Sequence, residues 1–256
     1  MTDRERGSDK LSRQALLKEH RPERIRARLG REPRSQRVSD FVLGAIDGCV
    51  TTFAIVAGAF GAGFSESVVL VMGFANLIAD GFSMAVSNYE AVSVERDQAA
   101  AAARTERQHI DLVPEGEREE IRQIFQRKGF RGQVLDEIVA TITANRQLWV
   151  DTMLTEEYGI SRSARRPLGS ALVTFVAFIG VGTAPLLPYL VSPLSTSEQF
   201  YGSAALAAST FFAIGLCKGL VFSQHVLAAG IKTLIFGGGA ALLALGVGFF
   251  LRGFIG

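Results

Sequence analysis

Two neighbouring stretches decide the fold: FVLGAIDGCVTTFAIVAGAFGAGF at residues 41–64 and VVLVMGFANLIADGFSMAVSNY at residues 68–89. Each is as long as the roughly 20 mainly apolar residues that a transmembrane helix needs. Strands are excluded, because an isolated strand cannot satisfy its backbone in lipid and both stretches are too long for barrel strands. Only residues 65–67 separate the two stretches, so we expect a tight helical hairpin.

Three further spans are predicted at residues 168–190, 201–222 and 229–251, and the distribution of charge supports them. Residues 1–39 and 90–166 hold 44 of the 52 charged residues, so only eight lie in the other 140 positions. A soluble domain does not leave so long a stretch nearly uncharged. The composition therefore excludes a simple soluble enzyme, a disordered tail and a collagen-like repeat.

The basic residues predict the topology. The segments 1–39 and 90–166 carry 24 of the 27 Lys and Arg residues, and basic segments stay on the cytoplasmic side. We expect a basic cytoplasmic segment at 1–39, spans one and two within 40–89, a cytoplasmic domain at 90–166 and spans three to five within 167–256. The pI near 8.7 needs no nucleic-acid partner, since basic residues that flank membrane spans explain it.

The 90–166 segment predicts three helices. The first continues span two through Arg107 and ends before Pro114, the second runs from about residue 117 to 128, and the third covers about 133–158 with an interruption near 143–145. The fold class is therefore all-α: a five-span transmembrane protein with a cytoplasmic three-helix domain inserted between spans two and three.

Polar residues inside the spans indicate function. Asp47 lies in span one, while Asn76, Asp80 and Met84 are four residues apart on one face of span two. A carboxylate within a bilayer costs about 2.5–3.5 kcal/mol on insertion scales, so it needs a partner or a water-filled cavity. Oxygen donors beside a thioether favour a path for a divalent transition metal. The alternatives are a helix–helix hydrogen bond for the aspartates and simple packing for the methionine.

The cytoplasmic domain offers a second set of candidate ligands at helical spacing: Glu106, His109, Glu117, Glu120, Met153 and Glu157. Glu117 and Glu120 have isoleucines rather than Lys or Arg four residues later, so a salt-bridged surface does not explain them. A bound cation would relieve their mutual repulsion. The spacing indicates a metal site, and a solvated helix surface is the alternative.

Several motifs together resemble the vacuolar iron transporter family. They are DFVLGAIDGCVTTFAIVAG in span one, LIADGFSMAVSNYEAVSVERD leaving span two, VPEGEREEIRQIFQRKGF and LWVDTMLTEEYGI in the insert, and GTAPLLPYL at the end of span three. The resemblance extends from about residue 37 to the C-terminus.

This resemblance implies a five-span homodimer that exports Fe²⁺, and often Mn²⁺ or related divalent ions, from the cytosol in exchange for protons. It implies transport-path roles for Asp47, Asn76 and Met84, and metal binding by the six ligands named above in the insert. His109 stands where a glutamate is common, Leu154 where a second methionine is common, and Asn76 where an acid can occur. These departures bear on affinity, metal preference and proton stoichiometry.

The chemistry agrees with that implication, because carboxylates and imidazole must lose their protons to bind metal. The expected partners are divalent metal ions, protons and the lipid bilayer; the ion is a substrate, and no prosthetic group is expected. A bacterial inner membrane is favoured, with a vacuolar membrane as the alternative. Two other functions stay open: a membrane-tethered di-iron oxidase, for which Glu106-x-x-His109 supplies only one of two required motifs, and a metal sensor that does not transport.

Overall fold

The computed structural model describes residues 16–29, 35–160, 165–191, 194–222 and 225–255. Its helices are α1 (Pro22–Leu29), α2 (Ser35–Ala62), α3 (Glu66–Leu112), α4 (Pro114–Arg127), α5 (Gly132–Thr143), α6 (Arg146–Glu156), α7 (Pro167–Gly182), α8 (Thr196–Val221) and α9 (Val226–Ile255). Helix α1 belongs to a separate unit, residues 1–34. Residues 1–15 and 30–34 of the predicted basic segment lie outside the described residues.

Five helices in the described ranges are long and apolar enough to cross a membrane, which confirms the predicted number of spans: Arg37–Ala62, Glu66–Leu112, Pro167–Leu190, Thr196–Val221 and Val226–Phe254. The third span ends in a 3₁₀ segment, Ala184–Leu190, that contains two prolines. Proline lacks the amide hydrogen that a continuous α-helix requires, so the regular helix stops at Gly182. The protein is therefore a multi-pass membrane protein.

Helix α3 is longer than any bilayer requires. Its 47 residues span about 70 Å at 1.5 Å per residue, more than twice the roughly 30 Å hydrocarbon core. It ends at Leu112, as the sequence predicts from Pro114. One rigid element therefore carries both the polar face of span two and the Glu106 end of the insert.

The predicted third helix of the insert is two helices in the structure. Helix α5 ends at Thr143, and α6 begins after Asn145, whose side chain accepts hydrogen bonds from the amides of Gln147 and Leu148. An asparagine that caps a helix start in this way favours a new helix over continuation of the old one. The interruption lies where the sequence places it, and the insert consists of the α3 extension and three further helices.

Close helix packing depends on small residues. A Cβ atom at Gly44 or Gly48 would collide with the carbonyl oxygens of Thr174 or Phe178, so α2 and α7 approach backbone to backbone. A Cβ atom at Gly215 would lie 2.6 Å from the Ala229 oxygen on α9. In a bilayer the hydrophobic effect contributes little to helix association, because lipid tails are as apolar as the side chains. Close backbone contacts of this kind therefore contribute to the association of these helices.

The apolar residues form two main cores. The membrane helices share a cluster that includes Leu77 and Phe178, while the insert has its own cluster around Ile121, Trp149 and Met153. The insert therefore has an apolar core of its own.

Candidate functional site

The predicted transport residues of the first two spans lie together. The Asn76 amide donates a hydrogen bond to the Thr51 hydroxyl at 3.4 Å, and that hydroxyl donates to the Asp47 carbonyl oxygen at 2.9 Å. The Asp80 carboxylate is close enough to Asp47 to act on it electrostatically. The side chains of Asp47, Thr51, Asn76 and Asp80 are all partly exposed. Thr51 is absent from the sequence-based set, although its position one turn after Asp47 could have indicated it.

Met84 lies on the same face of α3, half-buried, where it packs against the apolar core of the membrane helices. Its position agrees both with a transport role and with packing. The face continues one turn further to Asn88, which the sequence analysis did not select. Asn88 continues the four-residue spacing of Asn76, Asp80 and Met84, and this spacing could have identified it from the sequence.

Asn88 is part of a buried polar network at the insert-side end of this face. Its amide donates to the Thr174 hydroxyl at 2.7 Å, to Asp40 Oδ1 at 3.1 Å and to the Ser170 carbonyl oxygen at 3.3 Å. Arg165 donates to the same Asp40 oxygen at 2.6 Å. Helices α2, α3 and α7 are thus joined by side chains that distant parts of the chain supply.

The insert brings together acidic residues from α3 and α4. Glu106 and Glu117 are 1% and 3% exposed, which is rare for glutamate. His109 Nδ1 lies 3.3 Å from Glu117 Oε1 and 3.9 Å from Glu106 Oε1. The hydroxyl of Tyr158 donates to Glu106 Oε1 at 2.8 Å. The surface alternative therefore fails for these two glutamates, because they face the interior of the insert.

Two oxygen atoms of this cluster have no partner. Glu106 Oε2 and Glu117 Oε2 are buried without a hydrogen bond. A buried carboxylate oxygen that lacks a donor is costly, so a proton or a cation at this point would stabilise the insert. Burial, followed by the nearby charge of Glu106, raises the pKa of Glu117 to about 7.

Two of the remaining predicted ligands, Glu120 and Glu157, lie near this pair, and the third, Met153, lies in the apolar core. Glu120 is exposed, and its charge helps to raise the pKa of both Glu117 and Glu157, so it lies at the rim of the cluster. Burial is the main cause of the raised pKa of Glu157, while His109 opposes the shift. Met153 is fully buried in the apolar core of the insert, beside Leu154.

The cluster is not a preformed metal site. No group of three or more His, Cys, Asp or Glu side chains in the described ranges is arranged to hold a metal ion as it stands. The closeness of Glu106 to Glu117 is one cause of the raised pKa of Glu117. This arrangement therefore favours the protonated form of Glu117.

Comparison with known proteins decides the family. The sequence model of the VIT family matches residues 38–249. The chain belongs to this family. It is 31% identical over 208 residues to Vacuolar iron transporter 1 of Arabidopsis thaliana, covering 81% of this chain and 83% of the relative.

Two further relatives are similar over most of their length. Vacuolar iron transporter 1 of Tulipa gesneriana is 30% identical over 234 residues, 91% of this chain and 92% of the relative. The Vacuolar iron transporter of Plasmodium falciparum is 26% identical over 220 residues, 82% of this chain and 81% of the relative. The resemblance inferred from the motifs is confirmed. Membership of the VIT family makes the chain a metal-ion transporter rather than an enzyme, which removes the oxidase alternative.

Proposed function

We propose that this member of the VIT family exports Fe²⁺, and also Mn²⁺ and related divalent transition metals, from the cytosol in exchange for protons. The observation that carries the proposal is the continuity of α3. One helix carries both Glu106, a buried carboxylate of the insert, and the polar face of span two. About 33 Å of helix separates Glu106 from Met84, at 1.5 Å per residue.

Metal capture takes place at Glu106, His109 and Glu117, with Glu120 and Glu157 at the rim and Met153 beside them. The two unpartnered carboxylate oxygens supply hard donors, and the imidazole supplies a nitrogen that suits transition metals. Because ligands bind metal only when deprotonated, each ion that binds releases protons. The pKa of Glu117, which burial raises to about 7, supports a proton exchange near cytosolic pH.

Transport then uses Asp47, Asn76, Asp80 and Met84. Two carboxylates close together in adjacent spans bind either a divalent cation or protons, and the more acidic compartment drives release by protonating them. The side chains of this path are partly exposed in the single chain. A second copy packed against this face would enclose them, so the active form is a homodimer with the path at its interface.

The basic residues set the orientation. With 24 of the 27 Lys and Arg residues in segments 1–39 and 90–166, the N-terminus and the insert face the cytosol. The insert then meets cytosolic metal before the spans do. A bacterial inner membrane is our preferred location; the relatives are named as vacuolar transporters, which makes the vacuolar membrane the alternative.

The test is Fe²⁺ uptake by the full chain in liposomes with an acidic interior. Asp47→Asn should abolish uptake driven by the pH gradient, because an amide cannot exchange a proton for a metal ion. Asp97→Asn, on an exposed part of the same α3 helix, is the matched control and should transport like the wild type. Full uptake by Asp47→Asn would refute the assignment, and uptake that ignores the pH gradient would refute proton coupling.

A further inference from the structure

A buried ion pair lies at the insert-side end of the polar face. Asp40 is 3% exposed, and its Oδ1 accepts a hydrogen bond from Arg165 at 2.6 Å. Another nitrogen of the same guanidinium lies 3.5 Å from Glu95 Oε2. Arg165 therefore holds two carboxylates at once, one buried and one half-exposed.

The Arg165–Asp40 ion pair lies at the end of the polar faces of α2 and α3. Asp40 precedes Asp47 by two helical turns on the same face of α2, and its partner Asn88 follows Met84 by one turn on α3. The two polar faces thus run side by side and end at Asp40. An ion that moves from the insert along α3 reaches this end of the path first.

Arg165 is placed to block that route. Guanidinium remains charged at any physiological pH, and it competes with a divalent cation for the same carboxylate oxygens. We propose that the Arg165–Asp40 ion pair is the gate between the insert and the intramembrane path, and that metal passes only when Arg165 leaves Asp40. This inference rests on the proposed transport function.

Two features favour a gate over a merely structural ion pair. Glu95 offers Arg165 a second carboxylate, so the guanidinium can leave Asp40 and still have a partner. Asn88 meanwhile continues to donate to Asp40 Oδ1. When Arg165 leaves, its guanidinium keeps a carboxylate partner in Glu95, whereas the negative charge of Asp40 is compensated only by a cation that takes the place of Arg165.

The experiment measures initial Fe²⁺ uptake by the full chain in liposomes with an acidic interior. Minor conformations are typically populated at about 0.1–10%, so removal of the closed state by Arg165→Gln should raise uptake by about tenfold or more. Arg165→Lys keeps the charge and should stay near the wild-type rate. Arg166→Gln is the matched control, since this neighbouring arginine is exposed.

The outcomes separate the gate from the transport function. If the wild type takes up no Fe²⁺, the proposed function fails and the gate fails with it. If the wild type transports but Arg165→Gln is no faster, only the gate is refuted. Should Arg165→Gln not fold because Asp40 is left as an unpaired buried charge, Asp40→Asn with Arg165→Gln removes both charges. This double variant must also exceed the wild-type rate, and a rate at or below it overturns the proposal.

Discussion

The buried carboxylate of Glu117 makes a quantitative prediction about metal binding. With a pKa of about 7, this group is largely protonated at pH 6 and largely ionised at pH 8. Metal binds the ionised form, so lowering the pH from 8 to 6 should weaken binding about tenfold through this one group. In Glu117→Gln no proton competes with metal at this position, so the tenfold contribution of Glu117 to the pH dependence of metal binding should disappear.

The assay is Mn²⁺ binding to the full chain in detergent at pH 6, 7 and 8, for the wild type and Glu117→Gln. The comparison concerns the difference between the pH slopes of the two proteins. Glu117→Gln should bind more weakly at pH 8 and lose affinity less steeply towards pH 6. Glu115→Gln is the matched control, because the Glu115 side chain is 81% exposed on the same helix. Equal slopes for wild type and Glu117→Gln would refute the argument.

The same raised pKa has a consequence for stability. Its folded value of about 7 exceeds the ordinary value of 4.5, so burial favours the protonated carboxyl. The stability that Glu117 contributes is fully present below pH 4.5 and is lost as the pH rises through 7. Metal binding offsets this loss, because the cation replaces the proton.

Two other substitutions test the packing around the sites. Tyr158→Phe leaves Glu106 Oε1 without its hydrogen-bond donor and should lower the free energy of unfolding by about 1–3 kcal/mol without Mn²⁺, and by less once Mn²⁺ is bound. Thermal unfolding with and without Mn²⁺ measures the effect, and Tyr201→Phe at an exposed position is the control. An unchanged Tm would contradict the prediction. Gly48→Leu should separate α2 from α7 at a cost of about 1–3 kcal/mol or more. Gly246→Leu, where a Cβ would meet nothing, should keep the wild-type Tm; equal Tm values for the two variants would show that the close approach is unimportant.

The spans and the extent of α3 could be predicted because both depend on local sequence. A run of apolar residues is long enough to cross a bilayer whatever it packs against. Likewise, Pro114 ends α3 and Asn145 caps α6 through their own backbone chemistry. The four-residue spacing of Asn76, Asp80 and Met84 placed them on one face for the same reason.

The ligand cluster was only partly predictable. Spacing brought Glu106 near His109 because both lie on α3, but their approach to Glu117 depends on how α4 folds back against α3. The helical spacing makes Glu106, Glu117 and Glu120 equal candidates. Only the structure shows that Glu106 and Glu117 are buried whereas Glu120 is exposed. Tyr158 follows the predicted ligand Glu157, and nothing in its own sequence context indicates that its hydroxyl bonds to Glu106.

The sequence alone determined that this is a five-span helical protein, that it resembles the vacuolar iron transporters and which face of span two is polar. These properties follow from hydropathy, motifs and helical periodicity, all of which are local. The tertiary structure decided which carboxylates are buried and which residues complete the polar face. The contact of Arg165 with Asp40 joins residues 125 positions apart, and only the packing of α2, α3 and α7 creates the enclosed, low-dielectric setting in which those charges matter.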